Sequence, residues 1–286
     1  MYPAQFEYHK VGSVKEALDL LAKHKDDAKV LAGGHSLLPA MKLRLAQPKH
    51  VIDIGKIASL SGVKEEGGTL VIGALTTHYA IESSAVLKSK CPLMPEVAGH
   101  IGDPMVRNMG TLGGSLAHAD PAADWPAAVI ALGADLVAEG PKGKRTIKID
   151  DFFKALLTTA LADDEILTEI RVPAAAANVK SAYAKFPHPA SRFAVVGVAA
   201  VLTMDGGKIG KASIGLTGAG TKATRAKGVE AAIAGKTADA ASIQAAAEKA
   251  ADGVDVQADL QGSVEYKQHL LRVFAKRAME AAAAKK

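Results

Sequence analysis

Two short segments in which paired glycines stand beside a hydroxyl residue constrain this chain more than any other feature. They are Ala32-Gly33-Gly34-His35-Ser36 and Thr111-Leu112-Gly113-Gly114-Ser115. The first follows the apolar run Lys29 to Ala32, which reads as a strand. The second lies within residues 102–124, whose Gly, Asp, Pro and His content predicts a loop. Glycine lacks a Cβ, so its backbone comes close to a ligand and turns N–H groups toward it. Ser36, Thr111 and Ser115 add hydroxyl donors. Several such donors around a diphosphate form charge-assisted hydrogen bonds. For either segment alone the competing reading is an ordinary turn. No G-x-G-x-x-G follows a strand and no G-x-x-x-x-G-K-[ST] occurs, so a dinucleotide held here is held in neither the Rossmann nor the P-loop manner.

The rest of the chain frames these segments. With 286 residues, two domains are expected. Ser13 and Glu16 form the pattern of a capping box ahead of Val14, Ala17, Leu18 and Leu21, which share one helical face. Residues 1–55 then read strand, helix, strand, loop, strand. A second α/β stretch, residues 60–172, has a strand at Leu70 to Leu75, helical patterns over 77–100 broken by Pro92 and Pro95, and a helix from Trp125 to Leu132. Short strands follow at Leu136, Thr146 and Ile166 to Val172. Pro173 to Asn178 reads as a linker. Beyond it, Phe193–Met204 and Ile209–Thr217 flank Asp205-Gly206-Gly207 as a hairpin, residues 225–250 are alanine-rich and helical, and a last helix carries Tyr266, Leu270, Val273, Phe274 and Arg277. A three-stranded antiparallel sheet with a helical bundle is the simplest assembly for residues 178–286.

Composition removes several function classes. Hydrophobic residues make up 49% and charged residues 23%, as in a core-forming globular chain. The net charge of +5 comes from scattered residues without interleaved aromatics, so nucleic-acid binding is not expected, and a subunit interface with an acidic partner is the specific alternative to a solvated basic surface. The single cysteine, Cys91, supports neither an internal disulfide nor a cysteine-ligated iron–sulfur cluster, which needs about four ligands. No apolar run approaches the roughly 18 residues of a membrane span, and the N-terminus lacks a secretory pattern, so a cytoplasmic protein is expected, docked on a membrane only through partners.

His35, His100 and His118 lie near the glycine segments together with Asp103, Asp120 and Asp124. None has metal-ligand spacing, so no metal site is expected, and hydrogen bonds that support the loops are the favoured role. No G-x-S-x-G elbow is present either. Asp124, ahead of Trp125 and Pro126, reads as a helix N-cap, as a carboxylate accepting from a ligand hydroxyl, or as both. Lys185 reads by residue type as an exposed lysine.

At these segments the sequence resembles the medium, FAD-binding subunit of aerobic carbon monoxide dehydrogenase and related molybdenum hydroxylases, and the flavin domain of xanthine dehydrogenase. The likeness runs through Phe6-Glu-Tyr-His, Leu31-Ala-Gly-Gly-His-Ser-Leu-Leu-Pro-Ala-Met-Lys, Gly102-Asp-Pro-Met-Val-Arg-Asn-Met-Gly-Thr-Leu-Gly-Gly-Ser, Asp120-Pro-Ala-Ala-Asp and Ala212-Ser-Ile-Gly-Leu-Thr, nearly the whole chain. It implies an α+β fold: a two-subdomain FAD-binding module of the p-cresol methylhydroxylase type over residues 1–175 (subdomains 1–57 and 58–175), then a C-terminal domain over 178–286.

The resemblance further implies that Ala32 to Ser36 and Thr111 to Ser115 wrap the FAD diphosphate, with Leu31, Leu37 and Leu38 flanking the first segment. Ile101 matches an apolar flavin-pocket position, Asp124 a carboxylate that contacts the cofactor, and Leu167 an apolar position near the adenine. Lys185 matches a lysine near the flavin, and Phe193 a residue against the isoalloxazine face. Many relatives have Asn where this chain has Ser115, which keeps a hydroxyl and loses an amide donor. The implied role is electron transfer. A molybdenum cofactor on a large partner oxidises the substrate, [2Fe-2S] clusters on a small partner deliver electrons, and FAD on this chain passes them to quinone, NAD or oxygen, in a dimer of heterotrimers. A stand-alone flavin oxidoreductase and a non-catalytic nucleotide-binding module are the alternatives.

Overall fold

The structure, a computed structural model, describes residues 1–285; Lys286, the expected end of the second domain, lies outside the described residues. The chain opens with β1 (Glu7–Lys10), α1 (Val14–His24), β2 (Ala28–Leu31), α2 (Leu37–Lys42) and β3 (His50–Asp53). The strands form a parallel sheet in the order β1-β3-β2. Ser13 caps α1 by accepting from the Glu16 amide at 3.2 Å. Glu16 reaches back to the Gly12 amide, one residue before the expected Ser13. Ala17 and Leu21 bury their helical face against Ile52, Ile54 and Ile57. The loop expected between β2 and β3 contains α2, a helix of six residues.

The next elements are β4 (Val63–Glu66), β5 (Thr69–Gly73), α3 (His78–Ser83), α4 (Ala85–Lys90), α5 (Leu93–His100), α6 (Pro104–Met109), α7 (Leu112–His118) and α8 (Asp124–Leu132). Then come β6 (Asp135–Gly140), β7 (Gly143–Lys148), α9 (Ile149–Phe152), β8 (Phe153–Ala155), β9 (Thr158–Thr159) and β10 (Ile166–Pro173). An antiparallel sheet runs β4-β5-β10-β6-β7. Glycine is required at Gly73, the last residue of β5, because a Cβ there would collide with the Leu60 carbonyl. The predicted loop over 102–124 is corrected. Asp103 caps α6 with Pro104 in its first turn, and Thr111 caps α7 by accepting from the Gly114 amide. Short capped helices satisfy backbone groups that a packed loop would leave unpaired.

The chain ends with β11 (Val179–Pro187), β12 (Ala194–Asp205), β13 (Lys208–Thr217), β14 (Thr224–Arg225), α10 (Lys227–Ile233), α11 (Ala240–Ala247) and α12 (Val264–Ala284). The sheet β11-β12-β13-β14 has a fourth, two-residue strand beyond the three expected. Helices α10, α11 and α12 bury Val229, Ile243, Leu271 and Phe274 on one of its faces. Helix α8 lies on the other. It buries every residue from Asp124 to Ala131, and a Cβ on Gly215 of β13 would collide with the Ala127 carbonyl. Trp125, Ala127 and Val129 also share a core with Leu136 and Ile170 of the five-stranded sheet and Tyr183 of β11. No helix among the described residues is long and apolar enough to cross a membrane.

Candidate functional site

Both glycine segments border one cavity of about 800 Å³. That lies within the range of about 300–1,000 Å³ usual for small-molecule sites. The first segment leaves the end of β2 and enters α2. Gly34 sits at φ +78°, where a side chain is strained. Gly33 is required by close packing, because a Cβ there would collide with the Met109 carbonyl and stand 2.9 Å from Gly110 Cα. The His35 ring nitrogen Nε2 lies 3.5 Å from the Met105 carbonyl, also on α6. The amides of Gly33, Gly34, His35, Ser36 and Leu37 have no acceptor among the described residues, and Ser36, although it precedes α2, makes no capping hydrogen bond. Five consecutive donors on cavity-lining residues form a ready anion site.

The second segment works differently. Its glycines open α7 rather than a loop. The amides of Leu112 and Gly113 donate to Thr76 and Ala74 carbonyls at 3.0 and 2.8 Å. Those of Gly114 and Ser115 donate to Thr111 Oγ1 and the Thr111 carbonyl, each at 3.1 Å. The expectation of free backbone donors in both segments therefore holds only for the first. Gly113 is required because a Cβ would come within 2.5 Å of Ala74 Cβ, so α7 rests directly on the end of β5. What the second segment offers the cavity is its shape, the Ser115 hydroxyl, and the proton of Thr111, whose oxygen is already an acceptor.

Asp124 is buried, at 5% exposure. It is the first helical residue of α8 and not its cap, since Ala123 holds that position without a side-chain bond. Its carboxylate accepts from the Tyr183 hydroxyl at 2.5 Å and from Lys185 Nζ at 2.8 Å. Lys185 also donates to the His100 carbonyl at 3.1 Å, and its side chain is 1% exposed, so the exposed-lysine reading is overturned. Burial pushes the Asp124 carboxyl up from its ordinary value against the pull of Lys185 and Tyr183. Burial and the adjacent carboxylate hold the Tyr183 phenol well above its ordinary value, so it stays protonated and donates.

Leu31, Ala32, Leu37, Ile101, Leu167 and Phe193 also line the cavity. A β-bulge between Leu167 and Glu169 shifts the register of β10 against β6 beside this wall. Phe193, 45% exposed, precedes β12, and the loop before it adds Ser191 and Arg192 to the rim. Three expected residues lie off the wall. Leu38 turns outward, Leu112 is fully buried, and Lys185 stands behind Asp124.

Sequence reasoning passed over His78, Glu165, Ser191 and Arg192, which line the cavity, and Tyr183, which supports it. His78 accepts from the Trp125 indole at 3.0 Å, and burial lowers it to about 4, so the ring is neutral at pH 7. Alternation along β11 offered a signal for Tyr183, which lies two residues from Lys185 on the same face. His35 and His118, weighed as metal candidates, line the cavity apart from any cluster of metal-ligating side chains found among the described residues.

A mixed helix–sheet chain with an unpaired amide run on the wall of a cavity of about 800 Å³ defines a protein that binds a nucleotide-type cofactor. It belongs to the family of FAD-binding domains in molybdopterin dehydrogenases, which matches residues 4–175, and the CO dehydrogenase flavoprotein C-terminal domain matches residues 181–282. The chain is 44% identical over 282 residues to the carbon monoxide dehydrogenase medium chain of Hydrogenophaga pseudoflava, covering 99% of this chain and 98% of that one. It superposes on a structure of carbon monoxide dehydrogenase from that organism, lacking the Mo-pyranopterin moiety of the molybdenum cofactor, with a TM-score of 0.97, 46% identity and 99% coverage of each chain. It superposes on quinoline 2-oxidoreductase from Pseudomonas putida with a TM-score of 0.93 and 31% identity, covering 99% of this chain and 98% of that one.

Proposed function

We propose that this chain is the FAD-carrying electron-transfer subunit of a molybdenum hydroxylase, with carbon monoxide as the substrate of the complex. The observation that supports the reading most is the run of five unpaired amides from Gly33 to Leu37 on the wall of the shared cavity. It suits a diphosphate, and the chain belongs to an FAD-binding family. In this reading the amides and the Ser36 and Ser115 hydroxyls hold the diphosphate. Leu31, Ala32, Leu37 and Leu167 give the apolar surroundings of the nucleotide, and Leu38, off the wall, packs beside Gly34 and Leu31. Ile101 and Phe193 flank the flavin. Thr111, Leu112, Gly113 and Gly114 fix the shape of the second wall. Asp124, held by Tyr183 and Lys185, accepts from a cofactor hydroxyl.

A bound FAD supplies a two-electron store between one-electron [2Fe-2S] donors on a small partner and an external acceptor, whether quinone, NAD or oxygen. The chain's part is to position it and keep water from its apolar side. The molybdenum cofactor and the substrate pocket belong to a large partner, and the complex is a dimer of heterotrimers. The chain divides into an FAD-binding unit over 1–175, with p-cresol methylhydroxylase-type subdomains at 1–57 and 58–175, and a C-terminal unit over 178–286. The complex works in the cytoplasm and reaches a membrane only through other chains. Identity to a carbon monoxide dehydrogenase favours carbon monoxide, while the likeness to quinoline 2-oxidoreductase shows the same fold in an enzyme of another name.

Native mass spectrometry of the complex purified from its source is the test. Two partner chains, one carrying iron and one molybdenum, with a flavin on this chain, are expected. A flavin-free chain sinks the reading. A flavin-loaded chain that oxidises a substrate alone replaces it with the stand-alone oxidoreductase.

A further inference from the structure

We propose that His9, His24 and His50 form a binding site for a divalent transition metal, Zn²⁺ foremost, with Glu7 as the fourth ligand. The residues come from three elements: Glu7 and His9 from β1, His24 from the end of α1, and His50 from the start of β3. Strand alternation puts Glu7 and His9 on one face of β1, and the pairing of Glu7 with His50 brings the latter to the same face. The last turn of α1 then delivers His24 onto that face. The site lies where β2 and β3 begin, whereas the glycine turn leaves the far end of β2.

The three rings meet closely. Ligand atoms of the three histidines all lie within 4.8 Å of one another. His9 Nε2 is 3.1 Å from His50 Nδ1, and the His24 and His50 ring centroids are 3.6 Å apart. A Glu7 oxygen stands 3.4 Å from His50 Nδ1 and 3.9 Å from His9 Nε2. Tetrahedral Zn²⁺ with Zn–N distances of about 2.0–2.1 Å sets ligand nitrogens about 3.4 Å apart. His24 and Glu7 would have to turn inward to complete a tetrahedron around the ion.

One polar atom points to a ligand. His24 Nε2 is buried and has no hydrogen-bond partner among the described residues. A buried nitrogen without a partner is costly, and a metal ion facing it removes that cost. Three imidazoles and a carboxylate suit Zn²⁺, Cu²⁺ or Ni²⁺ and do not suit Mg²⁺ or Ca²⁺. The intervals of 15 and 26 residues between the histidines match no metal motif, because the site is assembled by the parallel strand register and not by local spacing. A bound ion would tie β1, α1 and β3 together.

The test titrates Zn²⁺ into the full chain after chelator treatment and removal of the chelator, by calorimetry. One Zn²⁺ per chain is expected, with a rise in Tm. His24→Asn should weaken binding by at least about tenfold, the scale on which even outer-shell losses act. His269→Asn, which removes an exposed histidine on α12, should leave binding unchanged. Absence of saturable Zn²⁺ binding, or equal affinity in wild type and His24→Asn, overturns the site. If His24→Asn fails to fold by circular dichroism, the Cu²⁺ electron paramagnetic resonance spectrum of the wild type decides. Three nitrogen ligands support the site, and fewer overturn it.

Discussion

Asp124 shows how a single carboxylate is held in an apolar wall. With Lys185 and Tyr183 in place its charge is compensated, whereas Lys185→Met leaves it with the Tyr183 hydroxyl alone. Breaking a buried pair in this way costs about 3–5 kcal/mol. Urea unfolding should show that loss in Lys185→Met, and Asp124→Asn/Lys185→Met should recover a large part of it. A double variant as unstable as Lys185→Met would remove the ion pair from the account. His78 gives the acid limb of stability. Its folded value of about 4 lies below the 6.5 of the free group. The unfolded chain therefore binds the extra proton, and the contribution of His78, complete above pH 6.5, is lost as pH falls toward 4. The gap of about two and a half units corresponds to roughly 3 kcal/mol. Urea midpoints measured across that range should fall, and His78→Gln should flatten the slope. At this scale the sequence located Asp124 and both glycine pairs. It missed Tyr183, and residue type alone read Lys185 as exposed, because burial of a polar side chain depends on what a distant element places over it.

Helices α6 and α7 carry the clearest difference between sequence and structure. Glycine, proline and aspartate argue for a loop when counted by composition, yet Asp103-Pro104 and Thr111 are helix-start signals when read by position. Gly113 and Gly114 tolerate the helix because its first turn needs closeness more than propensity. The same packing redefines what a substitution there does. A side chain at Gly113 meets Ala74 rather than the cavity, and one at Gly33 meets Met109. Gly113→Ala should cost about 1–3 kcal/mol through overpacking. It should lower thermal stability of the cofactor-free chain as well as flavin content. A variant that loses flavin with unchanged stability without cofactor would return the glycine to direct contact with the ligand. The first segment differs, because its amides are unpaired. The three strands of residues 1–55 and the central hairpin were legible from apolar runs and turns, whereas the parallel pairing in the order β1-β3-β2 was not. The two-residue β14 was not, since a pair of residues carries no periodicity.

The cavity wall draws on residues 29–54, 74–78, 101–124, 157–167 and 191–193, so no contiguous stretch of the chain makes the site. Helix α8 joins the two larger sheets, covered by one on each side. That arrangement follows from Asp124 to Leu132 being apolar around its whole circumference apart from the first residue, a pattern that marks a central helix. Its second residue is Trp125, the only tryptophan in the chain, and the indole leans on the ring of His78, which faces the cavity. The molecule thus carries a built-in lamp one side chain away from the cavity. A yellow ring system settling into the cavity should absorb the emission of that indole, so its fluorescence should fall in step with added FAD and return when the nucleotide is stripped by acid or salt. Emission that stays constant through a titration that saturates by absorbance would place the ring system away from this cavity.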